Sequence, residues 1–281
     1  MMKLLVGLYK ILDLQLNEPK SFGIYHIICI LAVIGLTVML CKLFGNADDA
    51  VVRKITSIVW IVILSFEVYK QLNYGFGVEN ERLVWDYAWY IFPFQFCSSP
   101  LYVLPFIAYS KNEKFREMCV AYMMTFSLFA GIAVMCYPND VFVETAGINL
   151  QTMIHHGSQV MMGVFYIVRY RAKLNLKFFA GGVQLFIAIV AIAMVLNIAG
   201  YHILTACGID ETFNMFYISP YFACSLPLLS LVWEWVPYLV FVMVYFFGFI
   251  LCAFIVYSAA KGILKGVTKA LESRKEMCEH V

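Results

Sequence analysis

Charge is what this sequence has least of. Asp, Glu, Lys and Arg make up 14% of its 281 residues, hydrophobic residues 63%, and the mean hydropathy is +0.81. Soluble domains carry roughly a quarter charged residues, so a soluble globular class is excluded. The formal net charge of +2 is too small to neutralise a phosphate backbone, which removes nucleic acid from the partners. Nine cysteines are present, yet no CxxC and no paired spacing occurs among them. That leaves neither a disulfide framework nor a zinc site. P-loop, GxGxxG, HxxxH and HExxH patterns are also missing, so no nucleotide, metal or other cofactor is expected. No long polar block divides the chain. One integral membrane domain over 1–281 is the reading that remains.

What is there is apolar, in runs of the roughly 20 residues that a hydrocarbon core demands. Residues 1–20 hold lysines among Leu4, Leu5, Leu8, Ile11 and Leu12 at helical spacing. The apolar run is too short, and its far end too charged, for a secretory signal. An interfacial amphipathic segment is expected there. Seven spans follow, at 22–44, 55–76, 88–109, 118–137, 151–168, 178–204 and 236–257, forming an all-α bundle over 22–257. The connection 205–234 is aromatic and proline-containing, which predicts a segment that folds back on the membrane surface or re-enters it. The tail 258–281 is basic and amphipathic, and is expected to lie on the surface.

Charge orients the bundle. Of the 20 Lys and Arg residues, fifteen fall in the segments after the first, third, fifth and seventh spans, with Lys42 at the end of the first span counted among them. The connections 138–150 and 205–234 hold none. The positive-inside rule then predicts the N-terminus outside and the C-terminus in the cytoplasm. Cys207 and Cys224 share the outward connection, so a disulfide between them is open.

With that orientation the polar residues gather at one depth. The third span carries Gln95, Cys97, Ser98 and Ser99 between Pro93, Pro100 and Pro105. Proline removes a backbone donor, and a broken membrane helix is tolerated where protein or a wet cavity satisfies the freed groups. Cys97 falls about 14 Å down its span, and His155 and His156 about 8 Å down theirs, at the α-helical rise. Glu67 and Asn197 reach the same outer half from spans that exit there. Ionisable groups at membrane depth are costly and usually face a bundle interior or an aqueous cavity. A thiol beside an imidazole is the minimum for acyl transfer, with the histidine taking the thiol proton. Glu67 or Asn197 would orient the ring, and Ser98, Ser99 or freed backbone N–H groups would face an oxyanion. Cys97 can equally be a small packing residue, Glu67 a structural partner of a cation, and Asn197 a link between helices. A Cys97–histidine metal site is disfavoured, because neighbours on a helix such as His155 and His156 do not readily share an ion. A non-enzymatic binder or transporter, using Glu67 and the histidines, is the alternative.

Four stretches also carry a resemblance: PFQFC at Pro93–Cys97, His156-Gly157 preceded by Gln151, LNIAGYHI at Leu196–Ile203, and ISPYFACSLPLL at Ile218–Leu229. In their order and spacing, over about residues 60–250, they resemble the YwaF-like integral membrane family of bacteria. That family is related to a vertebrate multi-span ether-phospholipid acyltransferase. The resemblance implies a seven-helix fold in a bacterial cytoplasmic membrane. By extension it implies a transacylase acting on membrane phospholipids, with the nucleophile on Cys97, the base on His156, and Asn197 in a shared segment. The family often has a histidine two residues before the cysteine, where this chain has Gln95.

Overall fold

The computed structural model describes residues 2–279, with side chains described to Ala270 and at Glu272. Among them the chain forms nine helices and one hairpin. The helices are α1 (Met2–Leu12), α2 (Ile24–Phe44), α3 (Asp49–Asn73) and, after the hairpin, α4 (Phe96–Tyr109) and α5 (Glu113–Cys136). They continue with α6 (Ala146–Arg169), α7 (Leu176–Ala206), α8 (Leu229–Trp235) and α9 (Tyr238–Glu279). Four of these, α2, α5, α7 and α9, are long and apolar enough to cross a membrane by length and composition. An integral membrane protein is compatible with that set.

The helices are not equivalent. None of the most apolar window of α2 is buried, whereas 72% of that of α5 is. So α5 is the axis of the bundle and α2 an outer helix. The core runs along α5, where Tyr122 stacks on Phe126 at 5.5 Å and Phe126 on Phe186 of α7 at 4.5 Å. Its middle turn, Met123–Ser127, widens to a π-helix and is wholly buried. Helix α6 comes unusually close to α5. A Cβ on Gly131 would lie 2.8 Å from that of Gln159, and one on Gly163 2.7 Å from that of Leu128. Small residues are what permit such an approach between apolar helices, where hydrophobic burial adds little.

The connections gather at two ends. At the basic end Asp49 bridges Arg116 and Arg169, each at 3.0 Å. Arg53 there donates to the carbonyls of Ala108 and Ser110, both at 3.0 Å. Side-chain caps start three helices at that end: Asp48 for α3, Asn112 for α5 and Asn175 for α7. At the opposite end α1 docks on α3, with Tyr69 donating to the Leu12 carbonyl at 2.7 Å. The strand-like stretch after α1 pairs with the start of α6, Leu16 N–H to Glu144 O at 2.8 Å and Ala146 N–H to Leu14 O at 2.9 Å.

Several expectations are corrected here. An all-α fold is interrupted by β1 (Phe76–Glu79) and β2 (Arg82–Trp85), an antiparallel hairpin. Asn80 and Glu81 both take positive φ, 48° and 60°, the pattern of a two-residue turn that matches the twist of its strands. The third span is no continuous helix over 88–109. A 3₁₀ turn at Trp89–Ile91 ends at Phe92, and helix resumes only at Phe96, because Pro93 lacks a donor. The tail is not a separate segment either. Residues 258–279 continue α9 in line, since no proline breaks it and Gly262 and Gly266 stay helical. His280 and Val281 lie outside the described residues. Cys207 and Cys224 are free thiols, one exposed and one buried, so no bridge joins them.

Candidate functional site

The break before α4 places residue 97 at the centre of a polar cluster. Phe96–Ser98 is a 3₁₀ turn whose carbonyls have few helical partners. The Cys97 carbonyl accepts from His155 Nε2 at 2.8 Å and also from the Gln159 amide. These donors are one helical turn apart on α6, so they meet one acceptor. A carbonyl only accepts, so His155 Nε2 carries the proton and its Nδ1 holds the lone pair. The same argument applies to His156, whose Nδ1 donates to the Thr152 carbonyl at 2.8 Å. Both rings are buried, with centroids 5.6 Å apart. His155 Nδ1, His156 Nε2 and Gln159 Oε1 are buried with no partner among the described residues. Three open acceptors in one cluster is far from the usual pairing of buried polar groups.

Glu67 joins this cluster from α3, but not as a ring-orienting acid. Its carboxylate takes Lys70 Nζ at 3.0 Å, Gln71 Nε2 at 2.7 Å and Gln151 Nε2 at 3.4 Å. Lys70 lies within electrostatic reach of residue 97 and of both imidazoles. Tyr87, after the hairpin, donates to Gln71 Oε1 at 2.6 Å. Burial, and then the Glu67 charge, push its hydroxyl up to about 12, so it stays a donor at neutral pH. Ser98 is buried in the turn, and Ser99 accepts from Tyr122 at 2.7 Å while donating to the Phe96 carbonyl.

A groove of about 700 Å³ lies between α3, α4 and the hairpin. Its wall is almost wholly apolar, with Leu64, Leu72, Leu101 and Phe106, and Glu67 and Gln71 are its polar spots. Cys97 and the histidines do not line it. They lie behind Glu67, on the side where Gln151 reaches that carboxylate.

Gln95 and Asn197 stand apart from the cluster. Gln95 donates to Asn214 O at 3.0 Å and accepts from Phe216 N–H at 2.8 Å. Asn197 donates to Met215 O at 2.9 Å and accepts from Met215 N–H at 2.6 Å. Two amides thus hold three consecutive residues of the 205–234 connection, which does enter the bundle. Met215, Phe216, Ile218 and Ser219 are at most 1% exposed, and Phe216 packs on the rings of Phe94 and Phe96. Phe216 and Tyr217 both sit at positive φ, 59° and 56°. Such a conformation costs on the order of 1 kcal/mol or more per residue, so it persists only where neighbours over-determine it. The paired amides do so.

The structure sorts the candidate residues into two groups. Glu67, Cys97, His155 and His156 come together, while Gln95 and Asn197 clamp a loop. Lys70, Gln151 and Gln159 belong to the first group and were not among the candidate residues. Gln159 lies one turn after His155, a spacing that would have flagged it. Compared with known protein-family models, curated proteins and solved structures, the chain matches none of them.

Proposed function

We propose that this chain is a seven-span membrane protein with its basic end in the cytoplasm, and that it transfers acyl groups between phospholipids. The spans are α2 to α7 and α9, with α4 completed by the turns before it. The observation that carries the reading is the buried cluster at residue 97, where two imidazoles each keep an open lone pair behind an apolar groove. The family resemblance supports the same chemistry. In it, the Cys97 thiol gives its proton to an imidazole and the thiolate attacks an ester carbonyl of a phospholipid. The carbonyl–oxygen bond of the donor breaks, the imidazolium protonates the leaving lysophospholipid, and a thioester remains on Cys97. A second lysophospholipid hydroxyl, deprotonated by the same imidazole, then attacks the thioester and returns the thiol. The resemblance gives the base as His156. His155 is the better candidate, because it is the ring held on residue 97 with Nδ1 free to accept.

The test is purified protein in liposomes holding a labelled phospholipid and an unlabelled lysophospholipid. Wild type moves label to the acceptor and Cys97→Ala does not. Equal transfer by both would overturn the reading. A second reading, a lipid or solute binder without chemistry, is favoured by one observation. The imidazole contacts the carbonyl of residue 97, and Glu67, the polar group on the groove, is held by Lys70 and Gln71. It predicts no acyl transfer by wild type, and ligand binding that is lost in Glu67→Gln.

A further inference from the structure

The basic end holds a second, smaller pocket, far in sequence from the cluster at residue 97. It measures about 260 Å³ and lies between the α6–α7 turn and α9, lined by Arg171, Leu174, Lys261, Leu264, Lys265 and Thr268. Lys261 and Lys265 are one helical turn apart, so they share a face of α9, and like charges at that spacing repel. Neither they nor Arg171 forms an ion pair among the described residues. Two acids of the same end are committed elsewhere: Asp49 to Arg116 and Arg169, and Glu117 to Lys173.

Arg171 is pre-oriented. Its guanidinium donates to Val168 O and to Asn46 Oδ1, each at 2.9 Å, which fixes the plane and leaves other N–H groups for an acceptor. The depth also fits a headgroup. The apolar part of α9 from Tyr238 to Tyr257 is about 30 Å long at the helical rise, one hydrocarbon thickness. Lys261 follows one turn later, at the level of lipid phosphates. Leu174 and Leu264 give the site an apolar side, which a lipid satisfies and a free ion does not.

We propose that this pocket binds the phosphate of an anionic phospholipid, with Arg171, Lys261 and Lys265 as its donors. The lipid ties the extension of α9 to the turn after α6, two elements whose facing charges otherwise repel. Basic pockets between helices at the cytoplasmic surface are the expected shape of such a site. The inference rests on the membrane placement of α9 and not on acyl transfer.

The experiment is thermal unfolding of the full chain in zwitterionic detergent, titrated with phosphatidylglycerol, phosphatidylcholine or inorganic phosphate. Wild type is expected to be stabilised by phosphatidylglycerol and unchanged by the other two. The Lys261→Gln/Lys265→Gln double variant loses at least half of that stabilisation. Lys54→Gln/Lys177→Gln, which removes as much charge from exposed positions at the same end outside the pocket, keeps it. Equal loss in both double variants would make the effect one of general surface charge and overturn the site. Equal stabilisation by inorganic phosphate would overturn the lipid as its ligand. Should Lys261→Gln/Lys265→Gln fail to fold, Arg171→Gln read by the same titration decides.

Discussion

Two buried polar clusters lie side by side near one end of this bundle, and they are built on opposite rules. In the clamp around Asn197, Gln95 and Asn214, each side-chain amide both donates to and accepts from backbone. In the cluster at residue 97, His155, His156 and Gln159 each spend one polar atom on a carbonyl and leave the other without a partner among the described residues. A polar group that shapes a fold gains from complete satisfaction, because each orphaned atom costs on the order of 1–3 kcal/mol. A group that meets a substrate must keep an atom open. The contrast is one of hydrogen-bond completeness between two neighbouring clusters.

The comparison predicts large stability losses in the clamp. Asn197→Leu orphans the Met215 N–H at a site with no exposure and leaves the Met215 carbonyl only the long bond from Ile218 N–H, at 3.4 Å. The expected cost is about 2–4 kcal/mol, the usual penalty for the orphaned N–H plus about 1 for the bond lost at the carbonyl. It would be read as a lower unfolding midpoint in detergent. A loss near zero would mean that the 214–218 segment holds its positive φ values without the amide, and the clamp would lose its meaning. Gln95→Ala orphans the Phe216 N–H and leaves Asn214 O only the bond from Tyr217 N–H, but residue 95 is half-buried and water can replace part of the loss. About 1–3 kcal/mol is expected by the same reckoning, and a cost exceeding that of Asn197→Leu would reverse the ranking.

Much of the fold could be read from the chain, and the reasons for the misses are physical. Spans 22–44 and 178–204 were expected, and the helices run Ile24–Phe44 and Leu176–Ala206, because unbroken apolar runs leave a helix no alternative. The second span was expected from 55, yet α3 begins at Asp49, since a helix capped by Asp48 need not stop where the hydrocarbon does. The basic tail looked like a separate segment for a similar reason: Lys261, Lys265 and Lys269 mark a change in composition, not the end of the helix. Pro93 and Pro100 made the break before α4 legible. What no pattern reveals is the partner of an amide. Asn197 and Gln159 look alike as buried polar residues on apolar helices, and only the backbone they meet separates clamp from cluster. Lys70, three residues after Glu67 and inside the expected span 55–76, is the cation that pairs with it.

The smallest effect is the sharpest test of the contrast. His156→Phe removes the bond from Nδ1 to the Thr152 carbonyl, but that carbonyl still accepts the residue 156 N–H within the α6 ladder, so no acceptor is orphaned. The substitution also removes a buried nitrogen, Nε2, that has no partner. A lost side-chain bond is worth about 1 kcal/mol, and relief of the open nitrogen offsets it, so stability should stay within about 1 kcal/mol of wild type. Phe is slightly larger than His, and Gly157 beside it already packs on Val33, so a modest overpacking term works the other way. An unfolding midpoint close to wild type would place His156 with the open cluster. A loss as large as that of Asn197→Leu would place it with the clamp. Activity then divides the two imidazoles, since with His155 as base His156→Phe retains acyl transfer that His155→Phe abolishes, and the opposite pattern would move the base to His156.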